Sequence, residues 1–418
     1  MTQTQAQPDV EKPTPTNVGG QAVIEGVMMR APGSLSVVVR RGDGSLVLRE
    51  RSLPTPKSVF TKIPVLRGAY TFFSALKVGH QALQFSARIY EADLMAQDAE
   101  VKRVEAADKL KSAAKKAGSA TKLSMLALTQ AVMSAADDPP AADGAPAEAP
   151  KTASEISPEV VEEYVVVEER AQSPLMTVLP VLMALGLYVA APQLAAEGIA
   201  KLLGLDPSVY TVTHPVLQAL TGGAKLLIIV GLFLALRQIR DFRRMFEYHG
   251  AEHMAISTYE KEKPLLLENA RGVSALHARC GTTFIIMVAF VSVVLFSALG
   301  SVMPPIDAPR PVQAVLFFFL KLPLLPFIAG FTLEIQKVLA KYCATGPLQF
   351  LLWPGFLVQK ITTAKPDDTQ LEVALASLRS ALANATVTLP EAHPDRSFES
   401  YDNLVSHPAY AVRSEAGA

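Results

Sequence analysis

The chain has 418 residues with 39 basic and 39 acidic side chains, so its formal net charge is zero, and it lacks the basic excess of a nucleic-acid-binding protein. Half of its residues are hydrophobic and its mean hydropathy is +0.26, which excludes an ordinary water-soluble chain of this length and makes lipid part of its solvent. Two cysteines, Cys280 and Cys343, exclude a disulfide framework and a Cys-rich zinc module.

Residues 1–17 have neither a basic start nor an apolar core and read as a solvated arm, not a secretory signal. Residues 18–58 read as a small β unit. LSVVV and LVLRER are strand-like runs separated by a Gly-rich turn, and the glycines of GGQAVIEGVMMR suggest a bent, closely packed backbone before them. Residues 59–91 have apolar positions at helical spacing, with Lys62, Arg67, Lys77 and Arg88 for a polar side, and are expected to form an amphipathic, interfacial helix. Residues 92–170 turn Ala-, Lys- and Glu-rich, then Pro/Ala-rich, then acidic, and read as a partly helical, largely disordered insertion.

Four segments then carry enough apolar length to cross about 30 Å of hydrocarbon. They are Pro174–Ala195, Pro215–Leu236 with one charge at Lys225, Thr282–Val302, and Val312–Leu333 with one charge at Lys321. Residues 337–388 read as an interfacial segment broken by Pro354 and Gly355 and then a helix, and residues 389–418 as a flexible tail. The expected fold class is mainly α, a polytopic helical membrane protein of about four spans with a small N-terminal β unit. Eight basic residues lie between Arg237 and Gly281, whereas Lys201 and Arg310 are alone in the neighbouring connections. This asymmetry predicts that this loop and both termini lie in the cytoplasm, with two short connections outside.

The loop at 240–281 carries the chemistry. His249-Gly250-Ala251-Glu252-His253 fits H-x-x-E-H, which on a helix sets both imidazoles on one face, within reach of one divalent ion such as zinc. Glu252 would be the general base. A catalytic zinc site takes three protein ligands; Glu268, His277 and Cys280 are the candidates for the third, with His277 and Glu268 preferred because Cys280 reads more readily as an inert, reduced cytoplasmic thiol. Arg271 and Arg279 would contact an anionic substrate group or pair with local carboxylates. The bland alternative is a basic, lipid-facing collar. Lys225 and Lys321 fall at similar depth, and either line a pocket for an anion or lipid headgroup or snorkel to the interface.

The stretches GGQAVIEGVMMR, PVLRG, EYHGAEH, ENAR, LHARCGTTF, LPFIAGFTLEI and TTAKPDDTQLEVAL occur in one order from about residue 19 to 384. In them the chain resembles the YqhQ-like family of bacterial membrane proteins, regarded as predicted metal-dependent enzymes. The resemblance implies an integral membrane protein with a metal site on the HGAEH and LHARCG residues, and no substrate. The first reading is therefore a membrane-embedded metal-dependent hydrolase. Its alternatives are a scaffold that docks a soluble partner, and a transporter or channel subunit, which with four spans would have to be a homo-oligomer.

Overall fold

The computed structural model describes residues 18–53, 63–116, 179, 182–183, 186–205, 214–302, 307–343, 346–385, 389–390 and 393–410. The chain is a mainly α membrane protein with one small sheet. That sheet is an antiparallel meander in sequence order: β1 (Gly19–Val23), β2 (Gly26–Ala31), β3 (Ser34–Arg40), β4 (Leu46–Ser52) and β5 (Arg396–Phe398). The two strands read from the sequence are β3 and β4, and GGQAVIEGVMMR is the β1–β2 hairpin. Val23 pairs with Gly26 across a two-residue turn, where Glu25 takes the left-handed φ of 51° that so tight a connection requires.

The C-terminal segment differs from the loose tail expected from residue 389. β5 pairs with β4, Phe398, Leu404 and Tyr410 are buried, and Arg49 grips the Asp395 carboxylate through two hydrogen bonds of 2.8 and 2.5 Å. A three-residue strand and scattered anchors have no period that sequence reading detects.

The helices are α1 (Pro64–Lys116), α2 (Ala191–Leu202), α3 (Pro215–Leu236), α4 (Arg240–Glu260), α5 (Leu267–Arg271), α6 (Gly281–Val302), α7 (Arg310–Lys321), α8 (Leu325–Tyr342), α9 (Trp353–Thr362), α10 (Asp368–Ala383) and α11 (Tyr401–Ser406). Pro64 opens α1, where its missing N–H costs nothing. The helix continues well past Tyr90 into the segment read as an insertion, and from Arg88 onward it belongs to a separate compact unit. Asp367 and Gln370 close a capping box at the start of α10, and Gln370 Nε2 donates to Glu247 on α4 at 3.0 Å.

β2 and β3 are buried on both faces, which explains their unbroken apolar runs. On one side they meet α4 and α10 in a core that includes Val27, Met29, Val38, Leu48, Tyr248, Ala251, Leu371 and Leu375. Each large apolar side chain buried there is worth roughly 1.5–3 kcal/mol. α1 adds further contacts to the sheet. Ile24 N donates to Ser86 Oγ at 3.2 Å, and the Arg49 guanidinium lies 3.8 Å from the Phe85 ring centroid.

Three stretches are long and apolar enough to cross a membrane: Pro215–Leu236, Gly281–Val302 and Val315–Tyr342. Their outward side chains, among them Leu227, Val294, Phe290, Phe319 and Phe327, are exposed apolar surface that only lipid or a partner can cover. Among the described residues the count is thus three where four were expected. Pro174–Ala195 lies partly outside them, and its described end is a π-helical turn (Gly186–Ala190) leading into α2. α9 has ten residues, too few to span. α1 meets α8 backbone to backbone: a Cβ on Gly68 would lie 2.4 Å from the Gly330 oxygen, and Arg67 pairs with Glu334 at 2.8 Å.

Candidate metal centre

His249 and His253 stand one turn apart on α4, as the H-x-x-E-H spacing requires. α4 is buried continuously from Gly250 to Ser257, because the sheet, α10 and the segment after α9 all close on it. Gly250 makes this possible. A Cβ there would sit 2.1 Å from the Ala364 oxygen, so only glycine lets the chain at 362–366 lie against the helix. Ala364 N donates to Phe246 O at 2.9 Å, and the same crossing brings Thr362 O to 2.8 Å from His249 Nδ1.

A carbonyl oxygen only accepts, so His249 Nδ1 carries the proton. His253 Nδ1 lies against Ala275 O in the same way. Both rings are thereby set with Nε2 free of a backbone partner. His249 Nε2 faces Cys280 Sγ at 3.2 Å, and the two imidazole centroids are 4.5 Å apart. The ligand atoms of His249, His253 and Cys280 all lie within 4.8 Å of one another, and this cluster can hold a metal ion.

Electrostatics agree with that geometry. Burial pushes His249 down, but the neighbouring Cys280, which also hydrogen-bonds it, and Glu252 carry it up to about 9. Burial raises Cys280, yet the facing His253 and His249 bring its thiol well below the ordinary value. Without an ion, these donors therefore favour an imidazolium–thiolate pair, positive on the His249 ring and negative on Cys280 Sγ. Glu252 is almost fully buried, and burial raises its carboxyl against the opposing pull of His253 and His249. Its Cγ lies against β1, where a Cβ on Gly20 would come within 2.8 Å.

The family described as "Protein of unknown function (DUF1385)" matches residues 63–384, which include α4, Cys280 and all three candidate spans. The chain belongs to this family. It is also 27% identical over 372 residues to a protein of Bacillus subtilis (strain 168) named "Uncharacterized protein YqhQ", covering 88% of this chain and 93% of that one. No solved structure matches. The description of the family assigns no activity, so membership adds nothing to the enzymatic expectation that came with the resemblance. The sheet strands at 19–52 and 396–398 lie outside the family match.

Within this family member, the remaining sequence-read residues fall in different places. The side chain that groups with the two histidines is Cys280, and neither His277 nor Glu268 is in that group. His277 lies one layer behind: its Nε2 is 3.0 Å from Glu260 Oε2, and its ring centroid is 5.7 Å from that of His253. Burial lowers its affinity for a proton. Glu268 is exposed on α5. Arg271 pairs with Asp368 at 2.5 Å and Arg279 with Glu260, so both guanidinium groups are bound to carboxylates. Glu25 pairs with Arg244 and accepts from Tyr248 Oη at 3.2 Å, one turn before the histidines.

Two residues that sequence reading passed over hold the Cys280 loop. Gln359, fully buried on α9, accepts from His277 N at 2.9 Å and donates to His277 O at 2.7 Å and Thr283 Oγ1 at 2.6 Å. Gln336 on α8 donates to Cys280 O at 3.1 Å. Gln336 lies between Glu334 and Lys337 and Gln359 directly precedes Lys360, so nothing in the sequence set either amide apart.

Proposed function

We propose that this chain is a membrane-embedded, metal-dependent hydrolase with a cytoplasm-facing site. His249, His253 and Cys280 hold a divalent ion such as zinc, and Glu252 moves the proton. The observation that carries the reading is the pair of Nδ1-to-carbonyl contacts, which fixes both imidazoles with Nε2 toward the thiol. That second layer is the usual support of metal-binding histidines. Two imidazoles and a thiolate suit zinc, and three protein ligands leave a fourth position for substrate or water.

When bound there, the ion supplies a Lewis acid that polarises a carbonyl or phosphoryl oxygen and acidifies water. The protein supplies the rest. Glu252, its carboxyl raised by burial, is suited to take a proton from attacking water and return it to a leaving group near neutral pH. Gln359 and Gln336 hold the Cys280 loop in place, and the burial of His253 and Cys280 limits the access of bulk water. Cys280 immediately precedes α6, so the site lies at the end of a span. A lipid-linked or membrane-embedded ester, peptide or phosphoester fits that position. The eight basic residues of the Arg237–Gly281 loop support its cytoplasmic placement in a bacterial inner membrane.

The test is elemental analysis of the detergent-purified protein and of equally monodisperse His249→Ala and His253→Ala variants. Near-stoichiometric metal in the wild type and its loss in both variants are expected. Full metal content retained in both variants sinks the assignment. A second reading has one observation in its favour, the 3.2 Å approach of His249 Nε2 to Cys280 Sγ: a thiol nucleophile with its own base. A metal-free wild type whose Cys280 reacts rapidly with iodoacetamide would replace the first reading with this one.

A further inference from the structure

A second group of charges lies inside the spans, outside the metal centre. Lys225 is on α3, and Lys321 closes α7 at a break where Leu322–Leu324 form a 3₁₀ turn before α8. A snorkelling lysine would extend its ammonium along the lipid surface to the interface. Lys321 instead turns inward. Its Nζ donates to Gln218 Oε1 at 3.0 Å and lies 4.3 Å from the Phe317 centroid and 5.0 Å from that of Phe296. All three of those side chains are buried.

Gln218, Thr221 and Lys225 recur at helical spacing along one face of α3, and α6 packs against this helix where a Cβ on Gly222 would meet Val293. Ser292 and Phe296 lie one turn apart on α6, both buried. Lys225 stands two turns along that face from Gln218, the side chain that holds the Lys321 ammonium. Two ammonium groups thus share an interior stripe of hydroxyl and amide side chains, on helices α3, α6 and α7 that contain no aspartate or glutamate; the neighbouring α2, packed on the start of α3, carries one carboxylate, Glu197. Like charges are costly to gather in hydrocarbon, and such residues face a pocket or path when they occur.

We propose that Lys225 and Lys321 form an intramembrane binding site for a phosphate-type oxyanion, reached from the Pro215 end of α3. Two ammonium groups offer such an anion charge-assisted hydrogen bonds, and its charge removes their mutual repulsion. The Phe317 and Phe296 rings and the Gln218 amide hold the Lys321 ammonium in place beforehand. Phosphate in this site has two sources, a phospholipid headgroup or free inorganic phosphate.

The experiment uses the full detergent-purified chain with Lys225→Gln, Lys321→Gln, the double variant, Lys321→Arg, and Lys337→Gln as a control. Phosphatidylglycerol, with phosphatidylcholine for comparison, is titrated by native mass spectrometry, and radiolabelled inorganic phosphate by equilibrium dialysis. Either glutamine substitution is expected to weaken binding of the preferred probe about tenfold or more, with Lys321→Arg and Lys337→Gln close to wild type. Preference for phosphatidylglycerol identifies a lipid headgroup, and binding of inorganic phosphate alone identifies a free anion. If neither probe binds the wild type more tightly than the monodisperse double variant, the proposal is overturned. Metal content measured on the same samples keeps this outcome separate from the fate of the metal centre.

Discussion

The α4 cluster and the α3 stripe both bury ionisable side chains, but they neutralise them differently. Around α4, donors and acceptors of both signs come together: imidazole with thiol, Arg244 with Glu25, and His277 and Arg279 with Glu260. Backbone carbonyls from distant segments then fix the rings. Along the α3 stripe, the charges of Lys225 on α3 and Lys321 on α7 are both positive, and the groups that hold Lys321 are neutral, an amide and two rings. The first arrangement is internally balanced and specifies orientation. The second accumulates one sign of charge and is completed by an anion.

The largest expected effect strikes the first region alone. His253→Ala should take bound metal from near-stoichiometric to background, with lysine-site binding unchanged, as read by elemental analysis and native mass spectrometry on one sample. Loss of both together would erase the distinction between the regions. Next in size is Gly250→Ala. Alanine favours a helix by about 1 kcal/mol over glycine, yet its Cβ would drive Ala364 away. A net destabilisation of about 2 kcal/mol or more is expected from such overpacking, and metal should weaken with it as Thr362 leaves His249. A thermal melt that rises in this variant would contradict the close crossing.

Gln359→Ala leaves all three donors in place and removes the clamp on their loop. Metal affinity should fall about 10- to 100-fold, the usual cost of losing an outer-layer partner, as measured by competition with a chelating dye. A pH dependence follows from the imidazolium–thiolate pair in chelator-treated protein. His249 is raised to about 9, so its contribution is complete below its unfolded value of 6.5 and is lost as pH rises through about 9. Cys280 is depressed, so its contribution is present above its unfolded value of 9.0 and is lost as pH falls through its folded value. Between 6.5 and 9 the folded and unfolded pair bind the same number of protons, and above 9 folded His249 and unfolded Cys280 lose theirs together, so stability should be flat from 6.5 upward and decline as pH falls below 6.5. Thermal melts across pH check this, and Cys280→Ser should remove the plateau. The smallest effect belongs to the other region: Lys321→Met should leave metal content unchanged and raise ion-free stability by about 1 kcal/mol at most, since it relieves a buried like-charge pair.

Much of this was legible from local pattern. Apolar length revealed three spans, and the i, i+4 spacing put both histidines on one face of α4. The third donor was not legible, because His277 and Cys280 are near neighbours in a loop and local pattern cannot tell which one turns inward. Gln359 settles it by gripping His277 on both sides of its peptide backbone, while Glu260 draws the ring away. The lone thiol looked inert because nothing nearby in sequence announces His249 as its partner. Glu268 looked available only because the loop's folding was unknown. The C-terminal strand escaped notice because three residues carry no period, and its meaning lies in β4, at the opposite end of the chain.

That last pairing has a consequence for how the protein is made. β4 emerges from the ribosome early, and β5, its neighbour in the sheet, only after every span has been synthesised. At elongation rates of roughly 5–20 residues per second, the edge of β4 waits on the order of tens of seconds without its partner strand. An open strand edge invites foreign pairing, so translation arrest or truncation after α10 would release a chain fully inserted in the bilayer yet adhesive at its sheet. The final strand acts as a late seal, and quality control of this protein would read its last few dozen residues.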